Sequence, residues 1–333
     1  MTVANLQYVL NERPIGTINE RTFRQETHHC PALKDGEIRV RNLYLSIDPA
    51  MRGWMNDAKS YIAPVGINEV MRALGVGEVI GSNHPQFKVG DYVNGALGVQ
   101  QYFSGKPSGF YSVDSHLAPL PLYLSALGMT GLTAYFALLD VGQPKTGDTV
   151  VISGAAGAVG SVAGQIAKLK GCRVVGIAGG APKCQQLIES LGFDAAIDYK
   201  NENLHNALKR DCPKGIDVYF DNVGGEILDT ALTRLNVGAR VVLCGAISQY
   251  NSKEAIVGPA NYLSLLVNRA RMQGMVVMDY AERFPDALKE LSGWIQDGTL
   301  KSQEHIVEGL EHFPQTLQML FTGENFGKLI LKV

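Results

Sequence analysis

The stretch Val150-Val151-Ile152-Ser153-Gly154-Ala155-Ala156-Gly157-Ala158-Val159-Gly160-Ser161 reads as a buried strand, a tight glycine turn and the start of a helix. Gly157 lets the backbone approach an anion closely, and Gly160 permits close packing of helix on strand. The helix continues through Val162 to Lys170. Its first amides have no partner inside the helix and can donate to the oxygens of a pyrophosphate, with a helix-end contribution of roughly 0.3 to 1 kcal/mol. The match to the dinucleotide fingerprint is A-x-G-x-x-G, because Ala155 holds the place of the first glycine.

A second strand, Cys172 to Ala178, closes the strand-helix-strand unit that the fingerprint requires. An NAD site places a carboxylate at the end of that strand to accept from the ribose 2′-hydroxyl. This chain has Gly179-Gly180-Ala181-Pro182-Lys183 there, with no carboxylate and with a lysine suited to a 2′-phosphate. The expected cofactor is therefore NADP(H).

From Val150 onward strands and helices alternate, the signature of a parallel sheet covered on both faces. A helix near Lys183–Leu191, a strand at Ala195–Tyr199 and a helix near Leu204–Arg210 follow the first two strands. A fourth strand at Ile216–Asp221 runs into Asn222-Val223-Gly224-Gly225, a fifth is expected at Ala239–Gly245, and a sixth at Gly274–Met278 after an amphipathic stretch from Tyr262 to Arg271. The reading is α/β, a doubly wound six-stranded parallel sheet. The first part of the chain reads mostly β, with alternation over Glu37–Asp48 and glycine-rich apolar segments at Gly75–Gly81 and Val89–Val93 that fit a small, sharply bent barrel. The closing segment Phe326–Val333 is strand-like and is expected to return to this β part. The expected division is residues 1–124 with 299–333 for the β domain and 125–298 for the dinucleotide domain, with a cleft between them as the default ligand site.

Composition narrows the class. At 333 residues the chain can bury two cores, 46% of it is apolar, and 30 Lys and Arg nearly balance 32 Asp and Glu. That balance argues against nucleic acid or an anionic membrane as partner. No segment reads as a leader or a membrane span, which points to the cytosol. Five widely spaced cysteines without a C-x-x-C pair argue against a disulfide framework and a structural zinc lobe.

Several segments together resemble the zinc-free medium-chain dehydrogenase/reductases, in the prostaglandin reductase and alkenal double-bond reductase branch, to which bacterial curcumin-reducing enzymes are similar. They are Leu45-Ser46-Ile47-Asp48-Pro49 with Met51-Arg52-Gly53, Gly131–Phe136, the Ala155–Ser161 turn, Phe220–Gly225, Cys244–Tyr250 and Gly323–Lys328. The resemblance implies a Rossmann domain beside a GroES-like β domain, and a homodimer formed along the edge of the dinucleotide domain, where Met275–Met278 would serve. It implies cofactor contacts at Pro49, Met129, Thr133, Ala156, Gly157, Ala158, Val159, Lys183, Tyr199, Asn222, Cys244, Gly245, Ala246, Ile247, Ser248, Tyr250, Met275, Val276, Val277 and Asn325. The implied reaction is reduction of the C=C bond of an α,β-unsaturated ketone or aldehyde by hydride transfer to its β-carbon. An NADPH-dependent quinone oxidoreductase and a non-catalytic NADPH-binding sensor are the alternatives.

No metal is expected. The histidine that related zinc enzymes place before a glutamate is replaced by Gly77, before Glu78, and His28-His29-Cys30 ahead of Pro31 reads as an exposed turn. Two tyrosines of the mammalian and plant members are also missing: Val267 and Ala50 stand in their places. Tyr262 and Tyr250 are the candidate replacements as proton donor, and Arg52 is the candidate substrate-side cation.

Overall fold

All five residues of the strand Thr149–Ser153 are buried, as the apolar run requires of a strand covered on both faces. It lies near the centre of a six-stranded parallel sheet in a computed structural model that describes residues 3–333. The chain divides into two compact units: one runs to Leu124 and resumes over Glu304–Val333, and the other is Ser125–Gln303.

The first unit is mostly β. Strands β1 (Ala4–Leu10) and β2 (Phe23–His29) form an antiparallel pair. Strands β3 (Ile38–Ser46), β4 (Gly75–Ser82), β5 (Tyr92–Gly95), β6 (Tyr102–Gly105) and β7 (Tyr111–Val113) belong to a seven-stranded sheet, with helix α1 (Ala50–Trp54) after β3. The closing strand Lys328–Lys332 joins this sheet antiparallel to β3, Ile330 facing Ser46, so the end of the chain does return to the β part. Leu10, Ile38, Leu45, Met51, Phe313 and Leu331 are among the side chains of its core.

The second unit begins with helix α2 (Met129–Phe136) and continues β8 (Thr149–Ser153), α3 (Ala158–Leu169), β9 (Arg173–Ala178), α4 (Ala181–Glu189), β10 (Ala195–Asp198), α5 (Leu204–Asp211), β11 (Ile216–Asp221), α6 (Gly225–Leu232), β12 (Leu235–Leu243), α7 (Leu263–Asn268), β13 (Arg271–Gly274) and α8 (Phe284–Gln296). The sheet order β10-β9-β8-β11-β12-β13 is the doubly wound one. Strand order reverses between β8 and β11, and ligands of such sheets bind beyond the carboxyl ends of the strands at that reversal.

Three local expectations need correction. The sixth strand is Arg271–Gly274, ahead of the apolar run Met275–Met278. Its register, Arg240 against Arg271 through Leu243 against Gly274, stops where β12 stops, and the chain turns into a 3₁₀ helix from Val277. The fifth strand starts at Leu235, four residues before Ala239. His28 and His29 end strand β2 instead of lying in a turn: His28 Nε2 meets Glu26 Oε2 at 2.7 Å, and Cys30 is buried.

Candidate active site

The turn after β8 shows how this chain manages without the first glycine of the fingerprint. The tight turn is made one residue early by Gly154, at φ +58°. Ala155 then donates its amide to Ile177 O at 3.0 Å, and its methyl packs over Gly176 of β9, where a side chain would come within 2.9 Å of it. A Cβ on Gly160 would lie 2.5 Å from Gly154 O and 2.9 Å from Ala155 Cα, so only glycine allows α3 to start this close to the turn. Gly157 differs: a Cβ there would meet only Gly154 O, at 3.2 Å, and otherwise points into open space. Gly157 caps α3 without a side-chain hydrogen bond, and the first turn of the helix holds no acidic residue. Ala156, Gly157, Ala158 and Val159 thus present backbone and an uncapped helix end, an arrangement suited to a phosphate.

The carboxyl end of β11 is organised by Asp221, a buried residue that the sequence reading passed over. Its carboxylate accepts from Ser153 Oγ at 2.7 Å, Tyr219 OH at 3.1 Å, Val223 N at 3.1 Å and Gly224 N at 3.0 Å. Burial raises its pKa above the usual carboxylate range despite those donors, and burial lifts the Tyr219 phenol well above its ordinary value. Asn222 donates its backbone amide to Ser153 Oγ at 2.8 Å and its side-chain amide to Ser153 O at 2.7 Å. Its side-chain oxygen is thereby held as an acceptor at the strand-order reversal. The one sequence signal for this cluster was an aspartate directly before Asn222-Val223-Gly224-Gly225.

The loop from Cys244 to Tyr250 is laid on the same strand end. Cys244 N and Gly245 N donate to Asp221 O at 2.8 and 3.0 Å, Ile247 N to Asn222 O at 3.2 Å, and Ser248 Oγ to Val223 O at 2.7 Å. Ala246 N donates to Tyr250 OH at 3.2 Å, which fixes the ring against its own loop. Met275, Val276 and Val277 continue from β13 at this end of the sheet. Met129 and Thr133 share a face of α2, where Thr133 Oγ1 donates to Met129 O at 2.7 Å.

At the ends of β9 and β10 the chain gathers positive charge. Burial, and after it the nearby Lys200, lowers the pKa of Lys183 below the usual lysine range. A Cβ on Gly179 would lie 2.9 Å from Lys200 Cε and 3.0 Å from Tyr199 Cε1, so both side chains fold over this glycine. Lys200 is a residue that the sequence reading missed.

Within the β unit, Pro49 caps α1, and the preceding Asp48 is tied by Lys328, whose buried Nζ donates to Asp48 Oδ1 and Ile47 O, both at 2.8 Å. Arg52 is not placed as a substrate-side cation. It is only 3% exposed, and its guanidinium donates to Gly16 O at 3.0 Å, Pro14 O at 2.9 Å and Asn56 Oδ1 at 2.6 Å, so it clamps the entry loop of its own unit. Asn325 is buried and its amide donates to Gly327 O at 3.1 Å, closing a turn. Tyr262 lies at the other extreme, 59% exposed in a short 3₁₀ turn before α7, and Val267 on that helix is 69% exposed. At position 77 a Cβ would fall 2.4 Å from Val40 Cγ1 and 2.5 Å from Arg41 O, so the backbone leaves no room for a metal-binding side chain there. Among the described residues no three His, Cys, Asp or Glu side chains group to hold a metal ion.

Comparison with known proteins agrees with this layout. Residues 6–113 match the family described as the N-terminal domain of oxidoreductase, and residues 158–293 match the one described as zinc-binding dehydrogenase. The chain is 42% identical to the NADPH-dependent curcumin reductase of Escherichia coli, over 99% of this chain and 97% of that protein. It is 40% identical to the NADP(+)-dependent 2-alkenal reductase of Nicotiana tabacum, over 89% and 87%. The crystal structure of CurA in complex with NADPH from Vibrio vulnificus superposes with a TM-score of 0.94 at 43% identity, covering 98% of this chain and 99% of that one. With matches of this extent, the chain belongs to the medium-chain dehydrogenase/reductase family, in its zinc-free branch of curcumin and alkenal reductases.

Proposed function

We propose that this protein is an NADPH-dependent reductase that saturates the conjugated C=C bond of small enones and enals. The observation that carries the cofactor assignment is the fit of two separated features: the open backbone cradle at Gly157 with its uncapped helix end, and the lysine-lined glycine turn at the end of β9. Ala156–Val159 would hold the pyrophosphate, Lys183 and Tyr199 the adenosine side, and Asn222 with the Cys244–Tyr250 loop, Met129, Thr133 and Met275–Val277 the nicotinamide side. Support for the substrate class comes from the relatives named as curcumin and 2-alkenal reductases.

NADPH bound there supplies a hydride for the electron-poor β-carbon. The residues of this chain must orient that chemistry and meet the negative charge that develops on the carbonyl oxygen. One well-aimed donor at such an oxygen is worth roughly 2.7 to 4 kcal/mol. With valine at 267, we assign the proton donor to Tyr262, with Tyr250 as second candidate.

The test is NADPH oxidation by the purified protein with a panel of enals, enones and quinones, NADH in parallel and product masses recorded. A saturated carbonyl product formed faster with NADPH is the expected result. Turnover confined to quinones, or NADPH binding without turnover, would refute the assignment.

We further propose a cytosolic homodimer. All five cysteines are free thiols, as a reducing compartment maintains them. Among the described residues strand β13 pairs only with β12, and Val257, Leu263, Leu266 and Val267, nearby in sequence, each leave a large apolar side chain exposed, as residues at an interface do. A monomer by light scattering at micromolar concentration would overturn this.

A further inference from the structure

A 2′-phosphate carries close to two negative charges at neutral pH, and Lys183 alone leaves one of them without a cation. The structure brings a second lysine to the same turn. Asp198, at the end of β10, accepts from Gly180 N at 2.8 Å and from Lys200 N at 3.1 Å through one oxygen, Oδ1. It thereby staples the loop that leads into Lys183 to the loop that carries Tyr199 and Lys200. The other oxygen of Asp198 accepts from Asn201 Nδ2 at 2.7 Å, so this carboxylate is enclosed by its own donors. Gly179 completes the arrangement: with no side chain, it leaves room for Lys200 Cε and the Tyr199 ring, each about 3 Å from where a Cβ would stand. Among the described residues Lys200 makes no close ion pair with a carboxylate side chain; its charge lowers the pKa of Asp198 from nearby and also reaches Lys183, which places it in the electrostatic field of this turn.

We propose that Lys200 is a second cation for the adenosine 2′-phosphate, acting beside Lys183, and so a determinant of the preference for NADPH over NADH. This rests on the reading of the site as an NADPH site. The alternative role for Lys200, a solvated loop lysine, leaves the affinities of both cofactors untouched. A role in shaping the loop changes both together.

The experiment measures dissociation constants of NADPH, NADH and adenosine 2′,5′-bisphosphate for the wild type, Lys200→Gln, Lys183→Gln and the exposed control Lys209→Gln. Losing one partly exposed charge-assisted contact is expected to weaken NADPH and the bisphosphate about three- to tenfold, with NADH moving less than twofold and Lys209→Gln matching the wild type. If Lys200→Gln leaves NADPH affinity unchanged, or weakens NADPH and NADH equally, the proposal fails. Loss of preference in Lys183→Gln alone would reject Lys200 while keeping the cofactor assignment. A wild type that binds NADH as well as NADPH would reject both.

Discussion

Replacing the two glycines of the phosphate turn by alanine separates packing from ligand approach. In Gly160→Ala the new methyl would start 2.5 Å from Gly154 O. A carbon-oxygen contact relaxes to about 3.3 Å, so the start of α3 must retreat by about 0.8 Å. Overpacking of this kind costs about 1 to 3 kcal/mol, which in a unit of this size lowers the melting temperature by roughly 3 to 10 °C. The retreat also withdraws the helix amides from the phosphate, and NADPH affinity falls with stability. Gly157→Ala has no such clash, because its φ of −84° suits alanine and its only near neighbour is Gly154 O at 3.2 Å. Its apo stability should stay within about 1 kcal/mol of wild type. Its methyl, however, projects into the space that the anion must enter, and NADPH affinity should fall at least about tenfold, the loss of one hydrogen bond to a charged group. The assay is a thermal melt of the apo protein together with a fluorescence titration of NADPH. If Gly157→Ala binds NADPH as the wild type does, the phosphate is not at this turn. If Gly160→Ala melts unchanged, the close approach of α3 to β8 is not what the glycine serves.

Arg52→Met removes donors from two buried carbonyls, at about 1 to 3 kcal/mol each, so the melting temperature should drop while substrate KM moves less than twofold. A raised KM without loss of stability would return Arg52 to the substrate side. Tyr262→Phe should lower kcat roughly a hundredfold if its hydroxyl is the main proton donor; retained turnover would assign the proton to Tyr250 or water. Lys183 has its pKa lowered by burial and then by Lys200, so it loses its proton at a lower pH than an ordinary lysine. On the alkaline side kcat/KM for NADPH should decline before the ordinary lysine range is reached, with NADH showing no such decline. The same depression makes the folded apo protein bind fewer protons than the unfolded chain, so this residue's contribution to stability rises as pH climbs through that window. Parallel profiles for the two cofactors would show that Lys183 does not carry the discrimination.

What the sequence determined by itself was local and periodic. The run Thr149–Ser153, the glycine turn and the helix after it were legible because burial on both faces demands continuous apolar residues and close backbone approach demands glycine. The absence of a carboxylate after β9 indicated the cofactor, since that discrimination depends on one charge at one strand end. The sixth strand was misplaced because β13 is an edge strand whose limits follow its pairing with β12, whereas Met275–Met278 is merely apolar.

The tertiary structure decided what depends on residues distant in the chain. Arg52 looked like a free cation until Pro14 and Gly16, nearly forty residues away, took its donors. Asp221 became the organiser of the Asn222 turn only when Ser153, from another strand, came within 2.7 Å. Lys200 became a neighbour of Lys183 because a single oxygen of Asp198 joins two loops. Side-chain period and backbone conformation are written residue by residue and can be read in order. Which donor meets which acceptor is set by the pairing of strands, and that exists only once the chain has folded.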